Sequence, residues 1–282
     1  MCKVSRANLV ILNSLRSLMN LLPFRGQGKL ALFLSKIFLP DSKVCVPLRT
    51  GSNMIIDFRN KHEVAMYFDI FAKPLSKLLE RLLRPGDIFV DCGANVGYFS
   101  FFAAPLVTKA GKIIAIDANP YCIQRMEESK AAGKHHNVQI NGVAVGECSG
   151  QIRFNIANDP MYSSISNTGE LAWTSTKESI DVKVEPLDKI LGNVFATAHQ
   201  TIRLLKLDVE GAEIRAIRGA GNLLKSGKID YIYTELHPIQ MKLIGHEVDE
   251  FHSIMGNYGY HLDKIEKGIC IYSSPDVLHN PV

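Results

Sequence analysis

Asp87-Ile-Phe-Val-Asp91-Cys92-Gly93-Ala94-Asn95-Val96-Gly97-Tyr98-Phe99-Ser100 decides how this chain folds. A short apolar run of strand type ends in Asp91, a glycine-bearing turn follows, and apolar residues then recur at helical spacing through Ala104. Gly93 and Gly97 let the backbone turn sharply and leave no side chain between the loop and a ligand lying across it. The helix that starts there offers free N–H groups to a polar ligand. Further on, Lys112-Ile-Ile-Ala-Ile-Asp117 reads as a second strand ending in a carboxylate. Nucleotide-binding α/β folds place there the acid that grips ribose hydroxyls, so the two stretches together predict a site for a molecule carrying an adenosine.

A dinucleotide fingerprint of the G-x-G-x-x-G kind needs a glycine two residues after Gly93, and Asn95 stands there. The pattern Asp91-Cys-Gly93-Ala94-Asn95-Val-Gly97 instead resembles the first motif of class I S-adenosylmethionine (SAM) methyltransferases. Downstream, Leu204-Leu-Lys206-Leu-Asp208-Val-Glu210-Gly211-Ala212-Glu213, Ile217-Arg-Gly219-Ala220 and Tyr233-Thr-Glu235-Leu-His237-Pro238 are similar to the K-I-D-V-E-G-A-E and E-x-H-P blocks of the FkbM family of methyltransferases. The likeness runs from about Pro85 to Pro238.

The resemblance implies a Rossmann-like class I methyltransferase fold: a mostly parallel seven-stranded sheet with helices on both faces. It also implies SAM as cofactor and a hydroxyl of a small molecule or glycan, sugar or polyketide in type, as acceptor. Residues 1–60 are expected to form an N-terminal helix and β-hairpin extension, and residues 61–282 the methyltransferase domain.

With 282 residues and 46% hydrophobic composition the chain can bury a sizeable core. Six cysteines without a C-x-x-C pair suggest neither a zinc site nor a disulfide framework, and a reducing cytoplasm is the simplest setting. The net charge of +4 is uneven: residues 1–50 hold eight Lys or Arg against one Asp, so the rest of the chain is mildly acidic, which gives no support to nucleic-acid binding. Leu9, Leu12, Leu15, Leu18, Met19 and Leu22 share one helical face, interrupted by Arg16 and too short for a membrane span or a convincing signal peptide. That amphipathic helix packs on the body, closes a homodimer or touches an anionic membrane through its basic arm.

Val44–Leu48 and Met54–Phe58 flank a glycine-containing turn and predict a hairpin. Leu75, Leu78, Leu79, Leu82 and Leu83 predict a helix with Pro74 in its first turn. Strands and helices then alternate: a helix over Pro120–Ala132, a third strand over Val138–Val145, a strand at Gln151–Ile156 extending the sheet, strands at Thr201–Asp208 and Ile229–Glu235, one helix over Glu213–Leu224, a helix over His246–Tyr258, and a closing strand pair at Tyr260–Lys264 and Gly268–Tyr272. Residues 157–177, which contain the lone Trp173, form either a lid over the crevice or an ordinary surface excursion.

For the site, Asp91 is expected to meet the α-amino group of the cofactor and the backbone of Gly93, Ala94, Asn95 and Gly97 its methionine end. Asp117 is expected to take the ribose, and Val143 and Ala144 to lie near the adenine. Asp208 and His237, at the ends of neighbouring strands, are the candidate general bases near the methyl group. Asp208, Glu210 and Glu235 or His237 form an oxygen-rich set of the kind that suits a divalent ion, but no metal is expected. Two other readings carry less: a SAM-binding scaffold without turnover, and a nicotinamide-dependent oxidoreductase, which the Asn95 spacing disfavours.

Overall fold

The computed structural model describes residues 11, 13–17, 19, 26–38, 42–158, 163–165, 176–195, 197 and 200–277. Ile88–Cys92 (β3) is the centre of a seven-stranded sheet. On one side of β3 lie Lys112–Asp117 (β4) and Val138–Gly142 (β5); on the other lie Ile202–Leu207 (β9) and Ile229–Glu235 (β10), all five parallel. Ile269–Ser273 (β12) then pairs antiparallel with β10, and His261–Glu266 (β11) with β12 at the edge. This is the predicted Rossmann-like arrangement.

β3 is buried along its whole length because both faces are covered, which is why it reads as a continuous apolar run. Successive residues still alternate between faces. Phe89 joins one core with Ile113, Ala115, Leu204 and Tyr231, whereas Ile88 and Val90 join the other with Ile114, Leu205 and Ile232. The helices follow the same division. Lys73–Leu82 (α3) and Tyr98–Val107 (α4) cover the first face, and Leu187–Leu191 (α6), Glu213–Arg218 (α7), Gly221–Lys225 (α8) and Val248–Asn257 (α10) cover the second.

The expected hairpin is Lys43–Pro47 (β1) with Asn53–Asp57 (β2), paired as a separate two-stranded sheet. It is tied to the body by Arg125 of Pro120–Gly133 (α5), which is only 1% exposed. Arg125 donates from Nη1 and Nη2 to Glu63 at 3.0 and 2.8 Å, and from Nη2 to the Ile55 carbonyl of β2 at 3.0 Å. Glu63 belongs to Lys61–Tyr67 (α2), a helix that Asn60 caps by accepting from the amides of His62 and Glu63. The described residues between 11 and 19 are helical. Met19 is buried and Leu15 packs on the same core, while Arg16 donates to the Pro47 carbonyl at 2.9 Å. That part of the predicted amphipathic helix lies against its own body. Gln27–Phe38 (α1) follows it, with Phe33 and Ile37 exposed.

Three expectations are corrected. Gln151–Ile156 does not extend the main sheet: Gly150–Ala157 (β7) pairs antiparallel with Thr176–Glu185 (β8), and Ala144–Val145 (β6) joins β8 to make a separate three-stranded sheet. The third strand therefore divides between two sheets at Val143. The helix after Glu213 is broken at Gly219, where a Cβ would stand 2.1 Å from the Gly146 carbonyl oxygen. The chain gives up helical continuity there to let the two sheets' loops meet. Pro238–Leu243 (α9) was not foreseen, being too short to show a period. Trp173 lies outside the described residues.

Arg125→Met leaves Glu63 buried without its cation and is expected to lower unfolding free energy by about 3–5 kcal/mol. A urea titration checks this, and a midpoint unchanged from that of the native chain would show that the hairpin is held by apolar packing alone.

Candidate functional site

The carboxyl ends of β3, β4 and β9 open on one cleft, beside the point where the chain reverses the order in which strands are added to the sheet. The cleft and the solvent at its mouth make up about 890 Å³ of open space. Gly93, Ala94, Asn95, Asp117, Val143, Ala144 and Asp208 line it, with Tyr98, Phe99 and Phe154 as aromatic walls. Ser163 and Ile165, from the segment between β7 and β8, line it too.

The turn after β3 is stitched to its neighbours. The amides of Gly93 and Ala94 both donate to the Ile116 carbonyl at 3.0 Å, and Asn95, at φ 52°, donates its amide to Asp117 Oδ2 at 2.7 Å. Gly93 is required by a close approach: with φ at +73°, a Cβ would fall 1.7 Å from the backbone oxygen of Asp208. Asp117 accepts the Asn119 amide at its other oxygen at 2.8 Å. Each of its oxygens thus keeps lone-pair capacity for one more donor. Burial raises the Asp117 carboxyl to about pH 6, against the lowering pull of those two amides and of Lys206.

Asp91 and Gly97 do not line this cleft. Asp91 is fully buried behind the turn, accepting from Ser100 Oγ at 2.7 Å and lying 3.1 Å from Lys206 Nζ. That last contact is an ion pair off the line of a hydrogen bond, since Oδ1 has no hydrogen-bond partner. In this structure the cationic neighbour of Asp91 is Lys206. Gly97, at φ 87°, caps α4 instead.

Lys206 is a functional residue that sequence reading passed over, although it sits inside a quoted block. It is 3% exposed at its side chain, donates to the Gly93 carbonyl at 2.9 Å and lies 3.4 Å from Asp208 Oδ2. Burial would lower its pKa, but the Asp91 and Asp208 carboxylates outweigh this and hold it protonated.

Asp208 is the first residue beyond β9 and His237 the second beyond β10. Glu210 is at φ 51°, a left-handed conformation that turns the loop back toward His237. His237 Nε2 stands 3.8 Å from Asp208 Oδ1 and 3.7 Å from Glu210 Oε1, while Nδ1 is hydrogen-bonded to Glu213 Oε1 at 3.0 Å. Burial opposes the charged imidazole. The hydrogen bond to Glu213 and the charges of Glu213, Glu210 and Asp208 prevail and raise its pKa to about 10. Burial raises Glu210 to about pH 7, with His237 pulling the other way. Glu235 also shifts upward, mainly by burial.

Glu213 is more than a favourable charge at a helix start. It is fully buried, and the same Oε1 accepts the amides of Gly211 and Val209 at 3.1 and 3.3 Å. It locks the loop from 208 to 213 onto His237. The signal in the sequence was the pairing of two separated blocks, not either residue alone.

The cleft suits SAM on its own evidence: a ribose-type carboxylate with spare acceptors, a turn with no side chain at Gly93, an apolar stretch at Val143 and Ala144, and carboxylates beyond. The FkbM methyltransferase domain family matches residues 91–262, more than half of the chain. AmbE, an antimetabolite synthetase of Pseudomonas aeruginosa, is 22% identical over 73% of this chain and 11% of its own length, so the chain spans about a tenth of that relative. Among solved structures, an FkbM methyltransferase from Methylobacillus flagellatus has a TM-score of 0.43 at 14% identity, covering 76% of this chain and 54% of its own. A SAM-dependent methyltransferase from Aquifex aeolicus has a TM-score of 0.40 at 14% identity, covering 70% and 87%.

Lys206→Met strands Asp91 as an uncompensated buried charge, with an expected loss of about 3–5 kcal/mol in unfolding free energy. The double change Asp91→Asn with Lys206→Met should recover part of it. Chemical denaturation of the three variants reads the coupling, and strict additivity would refute the pairing.

Proposed function

This chain belongs to the FkbM family of SAM-dependent methyltransferases, and we propose that it methylates a hydroxyl oxygen of a small molecule or glycan, with SAM lying along the cleft from Asp117 to Asp208. SAM supplies an already activated methyl group on its sulfonium. The chain's own residues have to bind the cofactor, align the hydroxyl at about 3–3.5 Å from the methyl and take its proton.

Asp117 accepts hydrogen bonds from the ribose with the lone pairs that the Asn95 and Asn119 amides leave, Gly93 to Asn95 run along the methionine portion, and Val143 and Ala144 flank the adenine. The carboxylates beyond β9 face the opposite end of the cleft. The observation that carries the reading is that Asp208 and Glu210, both lining the cleft, converge with His237 at the mouth where an acceptor enters. The hydrogen bond to Glu213 and the charges of Glu213, Glu210 and Asp208 favour the protonated imidazole, so in this reading Asp208 serves as the base and His237 as the cation that steadies the oxygen as it loses its proton. The second candidate base of the sequence thus takes an electrostatic role. Ile239 and Leu243, exposed on α9 immediately after His237, give an acceptor an apolar edge to rest on.

Two outcomes test this. SAM and S-adenosylhomocysteine affinity, read by calorimetry, should weaken about tenfold between pH 7.5 and pH 5 as Asp117 takes up a proton near pH 6. Asp117→Asn should be weak throughout and nearly flat with pH, and a flat profile in the native protein would refute the ribose assignment. Asp208→Asn should keep cofactor affinity within about twofold while lowering turnover of a hydroxylated acceptor by about 10²-fold or more, the scale of general-base catalysis.

A further inference from the structure

We propose that Asp208, Glu210 and His237 form a binding site for a divalent first-row transition cation, open to the cleft. Each of the three residues offers a ligand atom within 4.8 Å of the other two. His237 Nε2 is 3.8 Å from Asp208 Oδ1 and 3.7 Å from Glu210 Oε1, beyond hydrogen-bond reach. Ligand atoms around a shared ion at about 2.1 Å stand roughly 3.0–3.4 Å apart, so the two Nε2–oxygen spacings lie within about 1 Å of those around a shared cation.

What separates this group from a chance gathering of acids is the state of the other atom on each side chain. Asp208 Oδ2 faces Lys206 Nζ at 3.4 Å, Glu210 Oε2 accepts from Gln240 Nε2 at 3.3 Å, and His237 Nδ1 is bonded to Glu213 at 3.0 Å. Each outer atom is anchored from behind. Among the described residues none of the three inner atoms makes a hydrogen bond, and all three converge. Metal-binding side chains are oriented in this way, the histidine above all, whose second nitrogen is typically fixed by a carboxylate. An independent observation points the same way. Glu213 is completely buried, yet Oε2 of that carboxylate has no hydrogen-bond partner among the described residues. This half-partnered buried carboxylate stands directly behind the imidazole, 3.0 Å from Nδ1, with Nε2 on the opposite edge of the ring free to meet a cation.

The donor set selects the ion class. One imidazole with two carboxylates suits Mn²⁺, Fe²⁺ or Zn²⁺ better than Mg²⁺ or Ca²⁺, which prefer oxygen throughout. Three protein ligands leave coordination positions free on the side of the cleft, the arrangement of ions that act on a substrate, not of purely structural ones. A cation takes Nε2 in its unprotonated form, so uptake of the ion competes with protons. The inference rests on the methyl-transfer reading for its purpose but not for its geometry.

The probe is Mn²⁺ alone, followed by electron paramagnetic resonance on the purified full chain with no acceptor present. One saturable site per chain is expected, with an electron spin echo modulation from a directly bound nitrogen. His237→Asn should abolish that modulation and weaken binding at least about tenfold, and Glu210→Gln should weaken binding to a similar degree. Glu213→Gln, which touches no ion, should cost about 10–100-fold in affinity. Asp117→Asn, in the same cleft, should leave Mn²⁺ affinity unchanged and report that acidity alone is not the cause. Circular dichroism and S-adenosylhomocysteine binding keep misfolding apart from lost ligation. No saturable binding, or binding that survives His237→Asn with its modulation intact, would overturn the site. Tight Mn²⁺ binding with no transfer to any hydroxyl would instead leave the site standing and remove the O-methylation reading.

Discussion

Lys206 is the constraint on which the site depends. It is a buried cation at the end of β9, and it holds three acceptors that come from both sides of the sheet's switch point: the Asp91 carboxylate, the Gly93 carbonyl and Asp208. Without it the end of β3 would carry an uncompensated charge in a place with no water, a cost of several kcal/mol. With it, the glycine turn and the loop that begins at Asp208 are held in one register. That register is tight enough for any side chain at Gly93 to strike the Asp208 backbone. The cofactor cleft and the acid cluster are therefore two sides of a single ion-pair network.

A second buried ion pair has a different task. Arg125 and Glu63 join the hairpin and α2 to α5, on the far side of the same core that α4 packs against. Both partners are almost wholly buried, so the pair adds less to net stability than to the choice of how the N-terminal elements seat on the sheet. The seat matters to function, because Met66 and Phe71, on either side of the α2 end, line the cleft alongside Tyr98 and Phe99. The N-terminal elements are thus part of the cleft's wall.

Much of this was legible in the sequence, and what was not had physical reasons. Periodicity located β3, β4, β9, β10, the hairpin and the closing strand pair, because each is an apolar run bounded by turn chemistry. It missed the three-stranded sheet of β6, β7 and β8, whose strands are mostly half-exposed and whose pairing crosses a long insertion. It read α7 and α8 as one helix, since the break at Gly219 is imposed by the Gly146 carbonyl, a contact with no local sequence signature. At the site, residue types named Asp117, Asp208 and His237, and the cleft brings Asp117 and Asp208 together. Asp91 was recognised as special from its place at the end of β3, while its pairing with Lys206, on a different strand, could not be read from spacing. Glu213 could be judged only with His237 beside it, twenty-four residues away.

Charge balance explains why the cluster is built as it is. Methyl transfer from a sulfonium removes positive charge from the cofactor as it proceeds, so a cleft bearing only carboxylates would hold the starting state more firmly than the transition state. Asp208, Glu210, Glu213 and Glu235 alone would do this. Here three of these four carboxylates are matched to a donor: Lys206 for Asp208, Gln240 for Glu210, and the imidazole for Glu213. Asp208 Oδ1 and Glu210 Oε1 both face His237 Nε2. Positive charge placed at that point, as a proton on Nε2 or as the proposed cation, lies beside the oxygen that gains electron density, while the carboxylates themselves stay in the wall. For the proposed transfer to a hydroxyl, the same arrangement that would keep the acids from trapping the sulfonium would also favour ionisation of the acceptor, through atoms already held in place by Lys206, Gln240 and Glu213.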